Sequence, residues 1–227
     1  MDPDFARQYY ESAEKDHWWF RGRARMVANL LTDCLDRQAG RVVDLGAGSV
    51  SLFPPSFDVT KVDMVVPRGV EGSFVQASVA RMPFRNGSFV GAGLFDVLEH
   101  LQEPGIVLDE ARRIIAPGGF LVYTVPAFQI LWSRHDDLVG HVRRYRTLEV
   151  EKVLAQNGFE PQKSSMFYGF LLGPALARKL MGLPSPMAMP SRRLNNVLSR
   201  IALASANAAS RSGRRIGLSI SGVALRS

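Results

Sequence analysis

Cysteine is almost absent from this sequence, which has a single one, Cys34, among 227 residues. One cysteine excludes an internal disulfide framework and a metal site built from several thiolates. A secretory signal is also missing, because residues Met1 to Asp4 are acidic and lead into no apolar signal region. A strongly apolar run, Phe170 to Ala177, is cut by Arg178 and Lys179, far short of a bilayer crossing. We therefore expect a cytoplasmic protein.

The composition is ordinary for one globular domain, with 46% apolar and 22% charged residues in a chain long enough for a substantial core. The net charge of +7 suits a nucleic acid, an anionic membrane surface or an acidic substrate as partner, and equally a solvated basic surface. The aromatic residues are not interleaved with arginines, as platforms for stacking on bases would be. We therefore expect no nucleic-acid partner.

One stretch, Val42 to Gly48, predicts a ligand-binding turn. A short apolar run that stops on two glycines is typical of a buried parallel strand and a tight turn. Glycine allows a positive φ and close approach of the backbone to a ligand. A second predicted strand, 58–62, ends on Asp63, which lies 19 residues after Asp44. That interval is typical of an acid that binds a ribose hydroxyl in a βαβ nucleotide fold.

Further strands are predicted over 73–75, 89–95 and 120–126, and near 163–167 and 216–224. Helical patterns lie between them, including one from Pro104 that the run Ala116 to Gly119 breaks. Strands that alternate with helices predict a doubly wound, mostly parallel α/β sheet. Ligands of such sheets bind outside the carboxyl ends of the strands. That rule selects residues 46–49, Asp63, 96–100 and the loop after Val125.

Both ends of the chain predict helices that cover the sheet. Residues 5–23 are rich in aromatics and predict a lid over a pocket, or alternatively a helix packed at the sheet edge. Near the other end, Ser191 predicts the cap of an amphipathic helix whose arginines lie in solvent. We expect its apolar face to pack on the domain as part of a cap, with membrane-surface contact as the alternative. That face comprises Leu194, Val197, Leu198, Ile201 and Ala204.

The chain resembles class I S-adenosylmethionine-dependent methyltransferases, in particular the small-molecule branch that includes the ubiquinone and menaquinone enzymes. Five motifs stand in that family's order, namely Asp44-Leu45-Gly46-Ala47-Gly48, Asp63, Met82-Pro83-Phe84, Leu98-Glu99-His100-Leu101 and Pro117-Gly118-Gly119. The opening His17-Trp18-Trp19-Phe20 and the run Arg134 to Tyr145 resemble one bacterial subgroup. The resemblance implies a seven-stranded Rossmann-like sheet with an N-terminal helical lid and a helical insertion before the last strand.

The resemblance implies a single methyltransferase domain, 1–227, which divides into a lid (1–38), a cofactor-binding core (39–168), a cap (169–212) and the last strand (213–227). It implies S-adenosylmethionine as cofactor, bound by Asp44, Gly46, Ala47, Gly48, Asp63, Met64, Ser78, Val79 and Asp96. The chain departs from the family at three positions, where Val50 replaces a glycine and Ser78 and Val90 replace acids.

Methyl transfer from a sulfonium needs an aligned acceptor and, for some acceptors, a base that removes a proton. Histidine titrates near neutral pH, and the candidates are His141, His135 and His100. Structural roles for these histidines, in fixing the loop or capping a helix, remain open. Trp18, Tyr145, Phe167 and Phe170 are the expected substrate-binding residues. No metal site is expected, although related quinone O-methyltransferases suggest an ion held by Glu99, His100 and Asp136.

The predicted function is S-adenosylmethionine-dependent O- or C-methylation of a small, apolar or natural-product-like acceptor. The alternative is a protein with the same fold that binds cofactor or substrate but catalyses a non-methylating reaction such as cyclisation, or has lost activity. The three departures motivate that alternative. The expected partner is the small-molecule acceptor, and peripheral membrane contact and a homodimer are left open.

Overall fold

The computed structural model describes residues 17–35, 39–48, 50–67, 69–181, 190–212 and 216–227. The strands are β1 (Gly40–Leu45), β2 (Phe57–Asp63), β3 (Ser73–Gln76), β4 (Phe89–Phe95), β5 (Ile115–Pro126), β6 (Phe159–Phe167) and β7 (Ser219–Arg226). The helices are α1 (Trp18–Cys34), α2 (Pro104–Ile114), α3 (Arg134–Val139), α4 (Thr147–Gln156), α5 (Leu172–Leu180) and α6 (Arg192–Ser212). Short 3₁₀ turns cover Leu98–His100, Gln129–Leu131 and Gly169–Leu171.

The seven strands form one sheet in the order β3-β2-β1-β4-β5-β7-β6. All neighbouring pairs are parallel except those that β7 makes with β5 and β6. The chain runs outward from β1 through β2 to β3, and in the other direction from β4 to β5. The point at which the order reverses lies between β1 and β4. This strand order and the mostly parallel pairing confirm the predicted fold class. In doubly wound sheets, ligands bind at the switch point.

Alternating side chains along the central strands divide the core into two layers. Val43, Leu121 and Tyr123 face one side, where they pack with residues of α2 and α4. Val42 and Val122 face the other side, where they pack with residues of α1 and α6. Because every central strand is covered on both faces, its residues are apolar at successive positions and do not alternate with polar residues, as they would in a sheet with one exposed face.

The aromatic opening of the chain begins a helix. In α1, the N–H of Trp19 donates to His17 Nδ1 at 3.3 Å, and the buried face carries Met26, Leu30 and Leu31. The helix packs against α6 and the sheet. The part of the predicted lid before residue 17 lies outside the described residues, so its role as a lid stays a prediction.

The predicted orientation of α6 is wrong. Ser191 Oγ accepts from the N–H of Leu194 at 3.4 Å, as expected of a cap, but the helix turns its small and polar residues inward. Leu198 is only half-buried and Ala204 is exposed. The exposed large side chains are Leu194, Val197 and Ile201, and the buried residues are Asn195, Ser199, Ala202, Ala206, Ala209 and Ser210.

The reason for this orientation is the close approach of α6 to α1. A Cβ placed on Gly22 of α1 would lie 2.9 Å from Ala202 Cβ, so the two helices meet where neither has bulk. Leucine or isoleucine on that face would push the helices apart. Close packing of small residues therefore outweighs the burial of the larger apolar side chains.

The start of β5 differs from the sequence expectation. The helix from Pro104 ends at Ile114, in agreement with a break before the run Ala116 to Gly119, but β5 already begins at Ile115 and this run forms a bulge opposite Phe89 and Gly91. Arg146 is the N-cap of α4. Within the described residues, no helix is both long and apolar enough to cross a bilayer.

Candidate active site

The turn after β1 has the geometry that its two glycines predict. Gly46 has φ +69° and Gly48 φ +53°, a region that side chains with a Cβ rarely occupy. A Cβ on Gly46 would lie 2.8 Å from Val97 Cγ2, so the turns after β1 and β4 touch at the switch point. Among the described residues, no heavy atom would lie within 4 Å of a Cβ placed on Gly48. In this part of the chain, the Gly48 side of the turn is therefore open to a ligand.

Asp63, at the end of β2, organises this turn. Its Oδ2 accepts from the N–H of Gly48 at 3.1 Å, and its Oδ1 accepts from the N–H of Val65 at 3.1 Å. The backbone oxygen of Asp63 accepts from the N–H of Ala77, which ties the turn after β3 to the same edge. A carboxylate has about four lone-pair positions, so Asp63 keeps acceptor capacity for a ligand's hydroxyl groups.

The other residues of the predicted cofactor set surround this edge. Asp44 is buried within β1, and Ala47 belongs to the glycine turn and donates its N–H to Val62 at 3.2 Å. Met64 is 68% exposed. Ser78 accepts from the N–H of Ala80 at 3.3 Å, and Val79 is half-buried against the core. Their contact with a cofactor stays a prediction.

Asp96, at the end of β4, pairs with an arginine of α1, which packs on one face of the sheet. Its carboxylate forms an ion pair with Arg23 of α1 and accepts from Thr124 Oγ1 at 3.0 Å. Arg23 also donates to Thr124 at 2.6 Å and is buried. Asp96 has φ +54°, a strained value for a residue with a Cβ. The ion pair between the buried Arg23 and the half-buried Asp96, with the bond from Thr124, holds the backbone that leads from β4 into the 3₁₀ turn at Leu98–His100.

Glu99, in that 3₁₀ turn, is a fully buried carboxyl group. Among the described residues, no hydrogen-bond donor contacts either of its side-chain oxygens. Burial, and next the charge of Asp96, raise the pKa of Glu99 well above its ordinary value. Its side chain faces His141, whose Nε2 lies 3.9 Å from Glu99 Oε1.

His141 is oriented by Asp136, which comes from α3. His141 Nδ1 lies 2.8 Å from Asp136 Oδ1. An ionised carboxylate can only accept, so Nδ1 carries the proton and Nε2 is the basic nitrogen. Burial alone would raise the pKa of Asp136, but hydrogen bonds from His141 and Arg144 hold it below its ordinary value. An oriented imidazole beside an ionised carboxylate is the arrangement of a general base.

Arg144 and Ser133 complete the surroundings of Asp136. The Arg144 guanidinium donates from Nε and Nη2 to the two carboxylate oxygens, each at 2.8 Å. The backbone N–H of Ser133 donates to Oδ2 at 2.8 Å. The loop that carries His141 is also joined to Glu99, whose backbone oxygen accepts from the N–H of Val142 at 2.8 Å. These bonds hold His141 next to the carboxyl end of β4.

The other two candidate histidines lie beside this pair. The rings of His100 and His141 are 4.7 Å apart, edge to face, and His100 Nδ1 lies 3.2 Å from the backbone oxygen of Gly140. Burial, and next the charge of His141, lower the pKa of His100. Burial also lowers the pKa of His135, which the charges of Asp136 and His141 influence as well. All three histidines predicted for catalysis are therefore gathered at one place.

A divalent cation has a different candidate set from the one that the sequence suggested. Glu99, His100 and His141 each offer one ligand atom, and these atoms lie within 4.8 Å of one another. The bond from His141 Nδ1 to Asp136 is the outer-shell contact that metal-binding histidines usually make. Asp136 itself is occupied by Arg144 and Ser133, so it would support His141 rather than bind an ion.

The predicted substrate aromatics divide into two groups. Tyr145 is buried, donates to the backbone oxygen of Leu98 at 3.1 Å and has its pKa raised to about 12 by burial. Phe167 is fully buried in the core. Trp18 is half-buried and Phe170 is 37% exposed, and both contact the ring of Tyr168. Trp18 and Phe170 are thus the two that a ligand can reach, and their role stays a prediction.

Sequence reasoning missed Arg23 and Tyr168. Tyr168 stacks on Trp19 at 4.4 Å between ring centroids and donates its hydroxyl to the backbone oxygen of Trp19. Both residues join α1 to the site, Arg23 through Asp96 and Tyr168 through the aromatic cluster. The one signal that pointed to Arg23 was its position shortly after the aromatic run, since a basic residue in a buried helix face needs an acidic partner.

Comparisons with known proteins agree with this geometry. A family model described as a methyltransferase domain matches residues 16–164. An uncharacterised 37.1 kDa protein in a transposon of Streptomyces fradiae is 30% identical over 159 residues, which are 60% of this chain and 44% of that protein. The chain thus spans under half the length of this curated relative.

Solved structures share the fold at low sequence identity. The 1,6-didemethyltoxoflavin N1-methyltransferase of Burkholderia thailandensis, with bound 1,6-didemethyltoxoflavin and S-adenosylhomocysteine, aligns with a TM-score of 0.60 at 18% identity, over 99% of this chain and 86% of that one. The [4+2]-cyclase SpnF aligns with a TM-score of 0.57 at 16% identity, over 89% of this chain and 80% of its own.

Proposed function

We propose that this chain, which belongs to the methyltransferase domain family, transfers a methyl group from S-adenosylmethionine to a small-molecule acceptor. One observation carries the proposal. The glycine turn with Asp63 and the pair His141–Asp136 converge on the carboxyl edge of the sheet at the switch point between β1 and β4. A nucleoside-binding turn and an oriented base at one edge are the two parts that methylation of an acidic acceptor requires.

The cofactor half of the site fits the nucleoside and the amino-acid ends of S-adenosylmethionine. Asp63 would accept from the ribose hydroxyl groups, and the open side of Gly48 would admit the methionine part. Ser78 and Val79, on the neighbouring turn, would contact the adenine. When bound, the sulfonium supplies a methyl carbon that is already activated toward nucleophiles.

In the acceptor half of the site, His141 is the proposed base that removes the acceptor's proton. Bound S-adenosylmethionine would supply the methyl group to the acceptor's oxygen or carbon, and the electron pair of the broken carbon–sulfur bond would stay on sulfur. The acceptor's proton would move to Nε2 of His141, where the ionised Asp136 would stabilise the imidazolium. Trp18 and Phe170 would contact an apolar part of the acceptor, which supports a natural-product-like compound; O- or C-methylation of it is part of the proposal.

Binding of S-adenosylhomocysteine tests the cofactor half. Isothermal calorimetry should show binding to the wild type, and Asp63→Asn should weaken it about tenfold or more, since a hydrogen bond to a charged group is worth about 1.5–3 kcal/mol. Asp58→Asn, at an exposed position of the same strand, is the matched control and should bind as the wild type does. Absence of heat with the wild type, for this ligand and for S-adenosylmethionine, would refute the proposal.

Turnover tests the acceptor half. Mass spectrometry of small molecules that co-purify with the protein supplies the acceptor, and release of S-adenosylhomocysteine measures the rate. His141→Gln should lower turnover by about 10²–10⁴ while cofactor affinity is unchanged. His135→Gln, at the neighbouring histidine to which the proposal assigns no proton, should lower turnover much less. If both variants lose only thermal stability, the histidines hold the loop and do not take the proton.

A non-methylating reaction such as cyclisation is the second candidate. Its support is the shared fold with a [4+2]-cyclase and the presence of Val50, Ser78 and Val90 where the family carries a glycine and two acids. The product decides between the two reactions. Methylation adds one CH₂ to the acceptor's mass, whereas cyclisation leaves the mass unchanged.

A further inference from the structure

The net positive charge of this protein arises in one part of the chain. All 21 acidic residues lie within residues 1–160, whereas residues 161–227 contain ten of the 28 lysines and arginines and no acid. The net charge of +7 therefore combines +10 in the last 67 residues with −3 in the rest. A surface of one sign attracts partners of the opposite sign.

Within this basic part, α6 presents an apolar stripe to solvent. Leu194, Val197 and Ile201 follow one another at intervals of three and four residues, so they share one face of the helix. They are 50%, 53% and 41% exposed. The opposite face, with Ala202 and Ala206, is the one buried against the domain. The helix therefore turns three of its five large apolar side chains away from the core.

Arginines line the edge of this stripe. Arg193 and Arg200 each precede a stripe residue by one position and stand seven residues apart, which places them on the same side of the helix. Both are exposed, as is Arg211 farther along that side. An apolar stripe flanked by exposed arginines is the pattern of a helix that lies in a membrane interface, with its apolar face in the acyl boundary and its cations at the headgroups.

We propose that α6 docks this protein on an anionic lipid surface through Leu194, Val197 and Ile201, with Arg193 and Arg200 at the headgroups. The proposal is independent of the reaction that the active site catalyses. A nucleic acid fits this surface less well, because residues 192–212 include no aromatic side chain to stack on a base. A second copy also fits less well, because a two-fold contact through this face would bring the arginines of both copies together.

Co-sedimentation of the purified full chain with vesicles tests the proposal. At physiological ionic strength, the wild type should pellet with phosphatidylglycerol–phosphatidylcholine vesicles and stay in solution with phosphatidylcholine alone. The pair Arg193→Glu with Arg200→Glu should lower the partition coefficient at least about 25-fold, because each cation near the surface contributes about fivefold. The control pair, Arg85→Glu with Lys152→Glu, makes the same charge change at exposed positions outside the basic part and should reduce binding far less.

The apolar contribution is measured separately. Leu194→Ser with Ile201→Ser keeps every charge and should lower partitioning at least about tenfold, with the remaining binding more sensitive to salt. Circular dichroism and thermal unfolding check that the variants stay folded.

Three results would overturn the proposal. The first is wild type that does not pellet with anionic vesicles even at low salt. The second is a duplex or single-stranded oligonucleotide that binds through Arg193 and Arg200 while vesicles do not bind. The third is a dimer that the serine variant dissociates in analytical ultracentrifugation, again without vesicle binding.

Discussion

Asp136 should be the most costly side chain to remove from the active-site loop. It is fully buried and accepts hydrogen bonds from Ser133, His141 and Arg144. The change Asp136→Ala deletes the anion and leaves the Arg144 guanidinium, whose side chain is 12% exposed, without its carboxylate. A buried cation that loses its partner keeps its desolvation penalty and loses its compensation.

The expected size follows from that imbalance. Removing one partner of a buried pair costs about 3–5 kcal/mol of unfolding free energy. In a chain of this length each kcal/mol lowers Tm by about 2–4 °C, so the loss should be about 6–20 °C. Asp137→Ala is the matched control. Asp137 is exposed and accepts one bond, from Trp132 Nε1 at 2.9 Å, so its loss should cost under about 1.5 kcal/mol.

A double-mutant cycle separates the pair from its surroundings. Urea unfolding is measured for Asp136→Ala, for Arg144→Met and for the double variant. The double variant should cost less than the two single changes together, by about 0.5–3 kcal/mol, because it no longer buries an unpaired charge. Additive costs, or a single-variant cost for Asp136→Ala below about 1 kcal/mol, would refute the account of this network.

The pH dependence gives a second check on the same group. The pKa of Asp136 is lowered in the folded state, so its contribution to stability is fully present above its unfolded pKa of about 3.9. That contribution is lost as the pH falls from about 4 toward the lowered folded pKa. The stability difference between wild type and Asp136→Ala should therefore be constant from pH 5 to 7 and shrink below about pH 4. A difference that does not change with acid would contradict the ionised form.

Two further predictions concern other residues of the site. Gly48→Ala should lower the affinity for S-adenosylhomocysteine more than tenfold and should destabilise the fold by about 1–2 kcal/mol. Gly118→Ala is the control, because Gly118 also has a positive φ and open space among the described residues. It should destabilise the fold by the same amount and leave the affinity unchanged. Equal affinities of the two variants in calorimetry would show that the ligand does not bind at the open side of Gly48. Glu99→Gln should stabilise the protein at pH 8 relative to wild type and should change its stability little near pH 4. The reason is that the pKa of Glu99 is raised in the folded state. Wild-type stability therefore falls as the pH rises above the unfolded pKa of about 4.3. Urea unfolding in the presence of a chelator measures this effect, and an equal change at both pH values would contradict it.

The sequence by itself determined the sheet and its cofactor edge. Apolar runs that end on Gly46 and Gly48 and on Asp63 specify where strands stop, because only such residues suit a buried strand and a tight turn. The alternation of strands and helices predicted the doubly wound topology, whereas the bond from the Gly48 N–H to Asp63 came only with the tertiary structure.

Contacts between distant segments needed the tertiary structure. Arg23 and Asp96 are separated by 73 positions and His141 and Glu99 by 42, and neither pairing leaves a periodic signal in the chain. The sequence identified all three histidines as candidates but did not show that a carboxylate orients His141. That orientation depends on the short helix α3, which brings Asp136 Oδ1 within 2.8 Å of His141 Nδ1.

The orientation of α6 shows most directly what the pattern alone leaves open. Its sequence carries two candidate faces, one of large aliphatic residues and one of alanines, and hydrophobicity favours the first. The tertiary structure selects the second, because Gly22 of α1 allows a close approach that only small residues such as Ala202 can share. Which face of an amphipathic helix is buried therefore depends on the shape of the neighbour that it meets, and shape is a property of the packed chain rather than of the helix's own sequence.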